Sequence, residues 1–136
     1  MSDVKPLEPR ALRLLAGRFA ILRLDPDAAP PDWLFRSVGG VYSLTRTPEE
    51  LSMVCAESDV PAASDHCERG WRMLLLEGPI PFEMVGVLAA LVGPLAQAEV
   101  PVFAISTFNT DALLVREHDL ERALEVLAPT HRVMRP

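Results

Sequence analysis

Apolar positions in the second half of the chain follow strand spacing in some segments and helical spacing in others. Three short runs rich in β-forming residues predict strands, at residues 72–76, 102–106 and 112–115. Apolar residues recur at helical spacing over residues 82–98, on a face formed by Val85, Leu88, Ala89, Val92 and Leu95. A second helix is predicted after Asp119, a suitable N-cap, and Pro129 ends it. Its apolar face is formed by Leu120, Ala123, Leu124 and Leu127. Residues 131–134 predict a last strand, so the predicted order is β-α-β-β-α-β.

The first half predicts similar strands joined by shorter connections. Residues 32–35 supply only a turn or two of helix before a pair of glycines. Residues 47–50 resemble a capping box, but the alternation over residues 51–56 is typical of a strand, so we predict a tight turn followed by a strand. Residues 12–15 are a candidate for an additional edge strand.

Sliding the chain along itself indicates a degenerate internal repeat. At an offset of 61 residues, 41–45 aligns with 102–106, and at an offset of 52, 19–26 aligns with 71–78. Strands that are rich in the same few apolar residues align easily by chance. The alignment itself therefore leaves two explanations open, duplication and coincidence. Duplication would make the first copy the shorter one, because it lacks about nine residues of the connector.

The predicted fold class is α+β, with two ferredoxin-like βαββαβ units in tandem and the helices on one face of each antiparallel sheet. The predicted boundaries are a tail over residues 1–9, a first unit over 10–68 and a second unit over 69–136. The first helix of the second unit is apolar around most of its circumference and requires cover on more than one side. We therefore expect a homodimer.

Composition and charge narrow the class of protein. The 136 residues are 49% hydrophobic and 24% charged, which predicts a soluble globular protein. The formal charge is −6, divided equally at Gly70, so neither half offers the basic face that nucleic acid or an anionic membrane requires. The longest uncharged run, over residues 84–98, is short of the roughly 20 residues of a membrane span. Two cysteines form no disulfide framework and the start lacks a signal-peptide pattern, which predicts a cytoplasmic protein.

The sequence contains few of the motifs that are typical of catalytic or metal-binding sites. No G-x-S-x-G elbow or phosphate loop occurs, and the three histidines are scattered. Residues 65–67 (Asp-His-Cys) with Cys55 are conceivable zinc ligands, but no second chelating pair exists, which favours a polar linker and a core thiol. We therefore predict that the chain is not an enzyme and has no cofactor and no metal.

One string of polar residues near the end of a predicted strand carries a more specific signal. Residues 106–111 read Ser-Thr-Phe-Asn-Thr-Asp and are followed by Leu-Val-Arg-Glu at 114–117. Further matches lie at residues 42–49, ahead of an acidic stretch at 57–59, and at residues 89–96. With these motifs the chain resembles the tandem ACT-domain proteins related to the CASTOR arginine sensors, and also the regulatory ACT units of aspartate kinases. The resemblance covers about residues 10–130.

The resemblance implies a regulatory module that binds a free amino acid or similar small effector at an interface between ACT units. It implies a strand edge formed by Ile105, Ser106 and Thr107, with Phe108 as a pocket wall and Asp111 as the side chain that sets specificity. It also implies a ligand-contacting loop, formed by Glu77, Gly78, Pro79 and Ile80. The arginine sensors have four ACT units and this chain has at most two, so an equivalent site would need a homodimer.

Elementary chemistry is compatible with these assignments but leaves a second interpretation open. A strand edge beside a Gly-Pro loop presents backbone donors and acceptors to a zwitterion, and glycine at position 78 permits close approach of a ligand. An ionised Asp111 would accept a charge-assisted hydrogen bond from a ligand cation. The same residues also suit an ordinary turn. The leading hypothesis is an amino-acid sensor, and the alternative is a structural protein–protein association module without a ligand.

Overall fold

The computed structural model describes residues 10–36 and 40–136, so the predicted tail over 1–9 lies outside the described residues. The regular elements are, in chain order, β1 (Arg10–Leu14), β2 (Phe19–Leu24), β3 (Ser43–Arg46), β4 (Leu51–Ala56), β5 (Cys67–Leu76), α1 (Val87–Gln97), β6 (Val102–Ser106), β7 (Asp111–Arg116), α2 (Leu120–Leu127) and β8 (His131–Met134). Short 3-10 helices cover Asp32–Arg36, Glu57–Asp59 and Glu117–Asp119. Within the described ranges, no helix is long and apolar enough to cross a membrane.

The described residues divide into two compact units. The helical unit comprises residues 10–15 and 74–136, and the short unit comprises Ala16–Met73. Residues 10–15, predicted as part of the first unit, group with the C-terminal residues because β1 pairs antiparallel with β5 and parallel with β8. Since β1 has a strand on each side, its prediction as an edge strand is wrong.

The helical unit has the predicted ferredoxin-like order β-α-β-β-α-β, which is confirmed from β5 to β8. The strand β7 pairs with β5 and with β6, and both helices pack into one apolar core with the strands. The predicted apolar face of α2 is confirmed, since every member is buried: Leu120, Ala123, Leu124 and Leu127. The two helices therefore stabilise this unit through the same core, mainly by the hydrophobic effect.

The first helix begins later than its apolar pattern predicts. It starts at Val87 rather than near residue 82, and its fully buried residues are Leu91 and Leu95. Gly86 precedes it with φ of +85°, a left-handed conformation that glycine adopts without strain. Val85, predicted on the buried face, is 93% exposed, because it belongs to the loop ahead of the helix.

The short unit is built on the β3–β4 hairpin, with β2 and the first part of β5 paired beside it. The strand β4 pairs with β2 and β3, and the first part of β5 pairs with β2. The predicted turn followed by a strand over residues 47–56 is confirmed. Its own core is small: Ala20, Leu22, Leu34, Met53, Cys55 and Val60. The 3-10 helix Asp32–Arg36 supplies one buried residue, Leu34, where α1 supplies two.

The hairpins of the two units share one geometry. Arg46 pairs with Leu51 across the β3–β4 turn, as Ser106 pairs with Asp111 across the β6–β7 turn. Each turn is closed by a threonine amide that donates to a carbonyl three residues later, at 2.9 Å from Thr47 to Glu50 and 2.8 Å from Thr107 to Thr110. The hairpins therefore correspond at an offset of 60 residues. The predicted offset of 61 is one residue out of register, which in a strand exchanges the two faces.

Candidate functional site

A cavity of about 340 Å³ lies in the helical unit, beside the turn of the β6–β7 hairpin. Its walls come from the loop after β5, the first turn of α1 and the end of β6. The lining residues are Ile80, Pro81, Phe82, Met84, Gly86, Val87, Leu88, Ala89, Ser106, Thr107, Phe108, Thr110 and Asp111. Apolar side chains therefore form most of the wall, and one carboxylate is set among three hydroxyl groups.

The carboxylate of Asp111 is held by its neighbour across the hairpin. The Ser106 hydroxyl donates to Oδ1 of Asp111 at 2.6 Å, and both side chains line the cavity. An ionised carboxylate accepts several hydrogen bonds, so this single bond leaves it with acceptor capacity for a ligand. The site thus offers an oriented negative charge to a ligand cation.

The turn that carries these residues is tied to the loop after β5. The Thr110 hydroxyl donates to the Leu76 carbonyl at 2.5 Å, and the Ile80 amide donates to the Asn109 carbonyl at 2.7 Å. The two segments approach so closely at Gly78 that a Cβ added there would lie 2.7 Å from the Asn109 oxygen. These contacts fix one wall of the cavity relative to another.

The beginning of α1 supplies hydrogen-bond donors of a different kind. Its first three residues, Val87, Leu88 and Ala89, line the cavity, and no side chain caps the helix at Gly86. The first amide groups of a helix have no intrahelical acceptors, and the helix dipole gives this end a partial positive charge. The beginning of a helix, which suits an anionic group, and the acceptor Asp111 therefore border the same cavity.

An exposed apolar rim borders the cavity. The rings of Phe82 and Phe108 meet edge to face, with centroids 5.0 Å apart and an interplanar angle of 87°. These rings are 71% and 79% exposed, and neighbouring Val85 is also exposed. We call Phe82, Val85 and Phe108 the aromatic rim. The two rings in contact form an exposed apolar surface, which is typical of interaction sites.

The structure brings together five of the nine residues assigned to the ligand site. Ile80, Ser106, Thr107, Phe108 and Asp111 line the cavity. Ile105 does not, because successive side chains of a strand point to opposite faces. Glu77, Gly78 and Pro79 also lie outside the lining. The absence of a Cβ at Gly78 serves its close approach to the Asn109 carbonyl of the hairpin turn.

Residues 82–89 form a wall of the cavity that the apolar pattern does not predict. The pattern predicts a helix over this whole segment, whereas the loop and first turn present Phe82, Met84 and Gly86 to the cavity. Gly86 was the available signal, since a glycine ahead of an apolar helical run marks a helix boundary.

A second cavity, of about 380 Å³, lies in the short unit and contains none of the predicted ligand residues. Trp33, Asp65 and His66 are among its lining residues.

The two cysteines are not suited to bind a metal. Burial raises the pKa of the Cys55 thiol to about 11 and that of Cys67 above its ordinary value, so both thiols are protonated at neutral pH. In the part of the chain that the structure describes, no group of three or more His, Cys, Asp or Glu residues is placed to hold a metal ion.

The fold of the helical unit, in which both helices pack with the strands into one core, defines the class of small ferredoxin-like α+β modules. The family model described as ACT domain matches residues 66–129, and a model of an N-terminal domain matches residues 17–63. The Cytosolic arginine sensor for mTORC1 subunit 1 of Pongo abelii is 43% identical over 147 residues, covering 82% of this chain and 42% of that protein. This chain therefore spans less than half the length of that sensor subunit.

Solved structures agree with this assignment. Protein Atu0741 from Agobacterium tumefaciens is 34% identical and superposes with a TM-score of 0.86, over 96% of both chains. The ligand-free regulatory subunit of aspartate kinase from Thermus thermophilus shares the fold, with a TM-score of 0.58 at 14% identity over 88% of this chain and 95% of that one. The chain belongs to the ACT-domain family and is related to the cytosolic arginine sensors, which confirms the resemblance.

Proposed function

We propose that this chain is an amino-acid-binding regulatory protein and that the 340 Å³ cavity of the helical unit is its effector site. One observation carries the proposal: the Asp111 carboxylate and the uncapped first turn of α1 line the same cavity. A free amino acid is a zwitterion, so its ammonium group suits the carboxylate and its carboxylate suits the helix amides. Family membership supports the same conclusion.

The remaining wall suits an aliphatic side-chain stem. Ile80, Leu88 and Phe108 offer apolar surface, and a volume of about 340 Å³ lies in the range of small-molecule sites. The name of the related arginine sensor makes arginine the first amino acid to test.

We further propose that the protein is not an enzyme and works in the cytoplasm. Among the described lining residues of the cavity, Asp111 is the one carboxylate, and it has no histidine, lysine or second acid beside it for proton transfer. The sequence relative is a sensor and the kinase relative is a regulatory subunit, by their names. Binding would therefore act through different affinities for two states of an assembly.

A thermal-shift screen of the purified chain against the twenty amino acids tests the proposal. An amino acid at 100 times its Kd stabilises the folded state by about 2.7 kcal/mol, which is readily measured. Asp111→Asn keeps the shape and removes the charge, and we expect it to weaken binding about tenfold or more. Glu125→Gln removes a similar charge on the exposed face of α2 and should bind normally. A flat screen would support the alternative, an association module without a ligand.

We also propose a homodimer in which a second copy of the chain covers the aromatic rim. Two phenylalanine rings and Val85 are exposed beside the effector cavity, and their burial would close its mouth while removing apolar surface from water. Val85 is 93% exposed, so a substitution there leaves the core of the unit intact.

Light scattering on three proteins tests the dimer. The wild-type chain should have the mass of a dimer at tens of micromolar, and Val85→Glu should be monomeric. Gln97→Glu adds the same charge at an exposed position at the other end of α1 and should remain dimeric. A monomeric wild-type chain would overturn the proposal, and a dimeric Val85→Glu variant would show that the rim is not the interface.

A further inference from the structure

In the short unit, one side chain bridges the hairpin and the loop that follows β2, across a space that we call the cleft. Arg46 ends β3, and its guanidinium reaches the loop that follows β2. One guanidinium nitrogen, Nη1, donates to the Pro26 carbonyl, and the other, Nη2, donates to the Ala28 carbonyl at 2.7 Å. Both bonds are made within the short unit.

The corresponding cleft of the helical unit is open. By hairpin register, the position of Arg46 corresponds to that of Ser106, which lines the effector cavity. Ala28 lies four residues beyond the end of β2, and Ile80, another lining residue, lies four residues beyond the end of β5. A long cationic side chain therefore reaches the loop in one unit, and a serine leaves the space open in the other.

The chemistry of the filled cleft is specific to a planar cation. Guanidinium presents its N–H donors in a rigid plane, so two of them can meet two peptide carbonyls at once, whereas an ammonium is a compact point donor. Arg46 lies at an exposed position, so solvent has access to the cleft once the side chain is shortened. We infer that the Pro26 and Ala28 carbonyls form a guanidinium-binding site that the chain occupies with its own Arg46.

Chemical rescue of Arg46→Ala tests the site. Ethylguanidinium replaces the atoms that the substitution removes beyond Cβ, and ethylammonium has the same charge without the planar fork. We expect Arg46→Ala to lower Tm, and ethylguanidinium at low millimolar concentration to restore at least half of the loss. Such concentrations lie far below those at which guanidinium salts denature proteins.

Two comparisons make the result specific. Wild-type protein and Arg135→Ala should show no rise in Tm with ethylguanidinium. The Arg135 guanidinium binds Glu121, but both side chains are exposed to solvent, so the pair contributes little stability that a cation could restore. If Arg46→Ala does not fold unaided, its refolding yield with each cation gives the same comparison. The inference would be overturned if ethylguanidinium left the Tm of Arg46→Ala unchanged. It would also be overturned if ethylammonium raised that Tm as much as ethylguanidinium does. No amino-acid effector enters this experiment, so its failure is distinguishable from failure of the proposed function.

Discussion

Replacing Gly78 with alanine should destabilise the helical unit, because the structure leaves no room for a Cβ. That atom would lie 2.7 Å from the Asn109 oxygen and 3.2 Å from the Thr110 Cβ. The obstacle at 2.7 Å is backbone, so the loop or the hairpin turn has to move. Such movement strains the hydrogen bond from the Ile80 amide to the same Asn109 oxygen. Overpacking typically costs about 1–3 kcal/mol and a hydrogen bond about 1 kcal/mol, so we expect a loss of roughly 2–3 kcal/mol.

Gly93 provides a matched control, because the same substitution there should have a much smaller effect on stability. Gly93 lies inside α1, and apart from its chain neighbours a Cβ added to it would meet nothing within 4 Å. Alanine is favoured over glycine in a helix interior by roughly 0.5–1 kcal/mol, but Pro94 disfavours a helical residue with a Cβ ahead of it, so we expect Gly93→Ala to change stability by less than about 1 kcal/mol.

Urea unfolding of the two variants and the wild-type chain measures both effects. Linear extrapolation gives each free energy of unfolding, and similar m-values would show that each substitution acts on stability rather than on the extent of unfolding. The contact between the loop and the turn would be refuted if Gly78→Ala were as stable as wild type. A loss of equal size in both variants would show that glycine is needed for a reason other than space.

Three further results are expected. Burial, with a smaller effect of Arg10, lowers the pKa of His131 below 6.5, so the unfolded chain takes up the proton first. The free energy of unfolding should therefore fall as pH drops through 6.5, and His131→Gln should flatten that fall. Because the pKa of Cys55 is about 11, a thiol reagent at pH 8 should modify it far more slowly in native than in urea-unfolded protein. Leu95→Ala, at a fully buried position, should cost about 2–5 kcal/mol in urea unfolding, and a loss below about 1 kcal/mol would contradict its packing.

The elements that the sequence predicts well are those whose apolar residues all face one core. The strands β6 and β8 lie where predicted, and α2 buries its complete apolar face. The start of α1 was missed because Phe82 and Val85 look like core residues in the sequence, yet the structure exposes them at the aromatic rim. Periodicity records hydrophobicity, and it cannot distinguish a core from an exposed apolar surface.

The place of β1 in the sheet cannot be predicted from local sequence patterns, for a different reason. Its place between β5 and β8 depends on pairing with residues 60 or more positions away. The candidate site was predicted in part because Ser106 and Asp111 lie in one short motif. Its helical wall comes from a distant segment, and only folding brings that segment beside the motif.

The two units use one hairpin geometry in different chemical surroundings. In the helical unit, the 11-residue α1 provides a helix beginning whose amides suit a carboxylate, and Asp111 suits a cation. The short unit has a five-residue 3-10 helix at the corresponding connection, and Leu51 occupies the place of Asp111. Without those partners, a free amino acid has little to bind there. Backbone carbonyls beside the cleft still favour a cation, and Arg46 satisfies them within the chain, so the short unit keeps its loop in place without an effector.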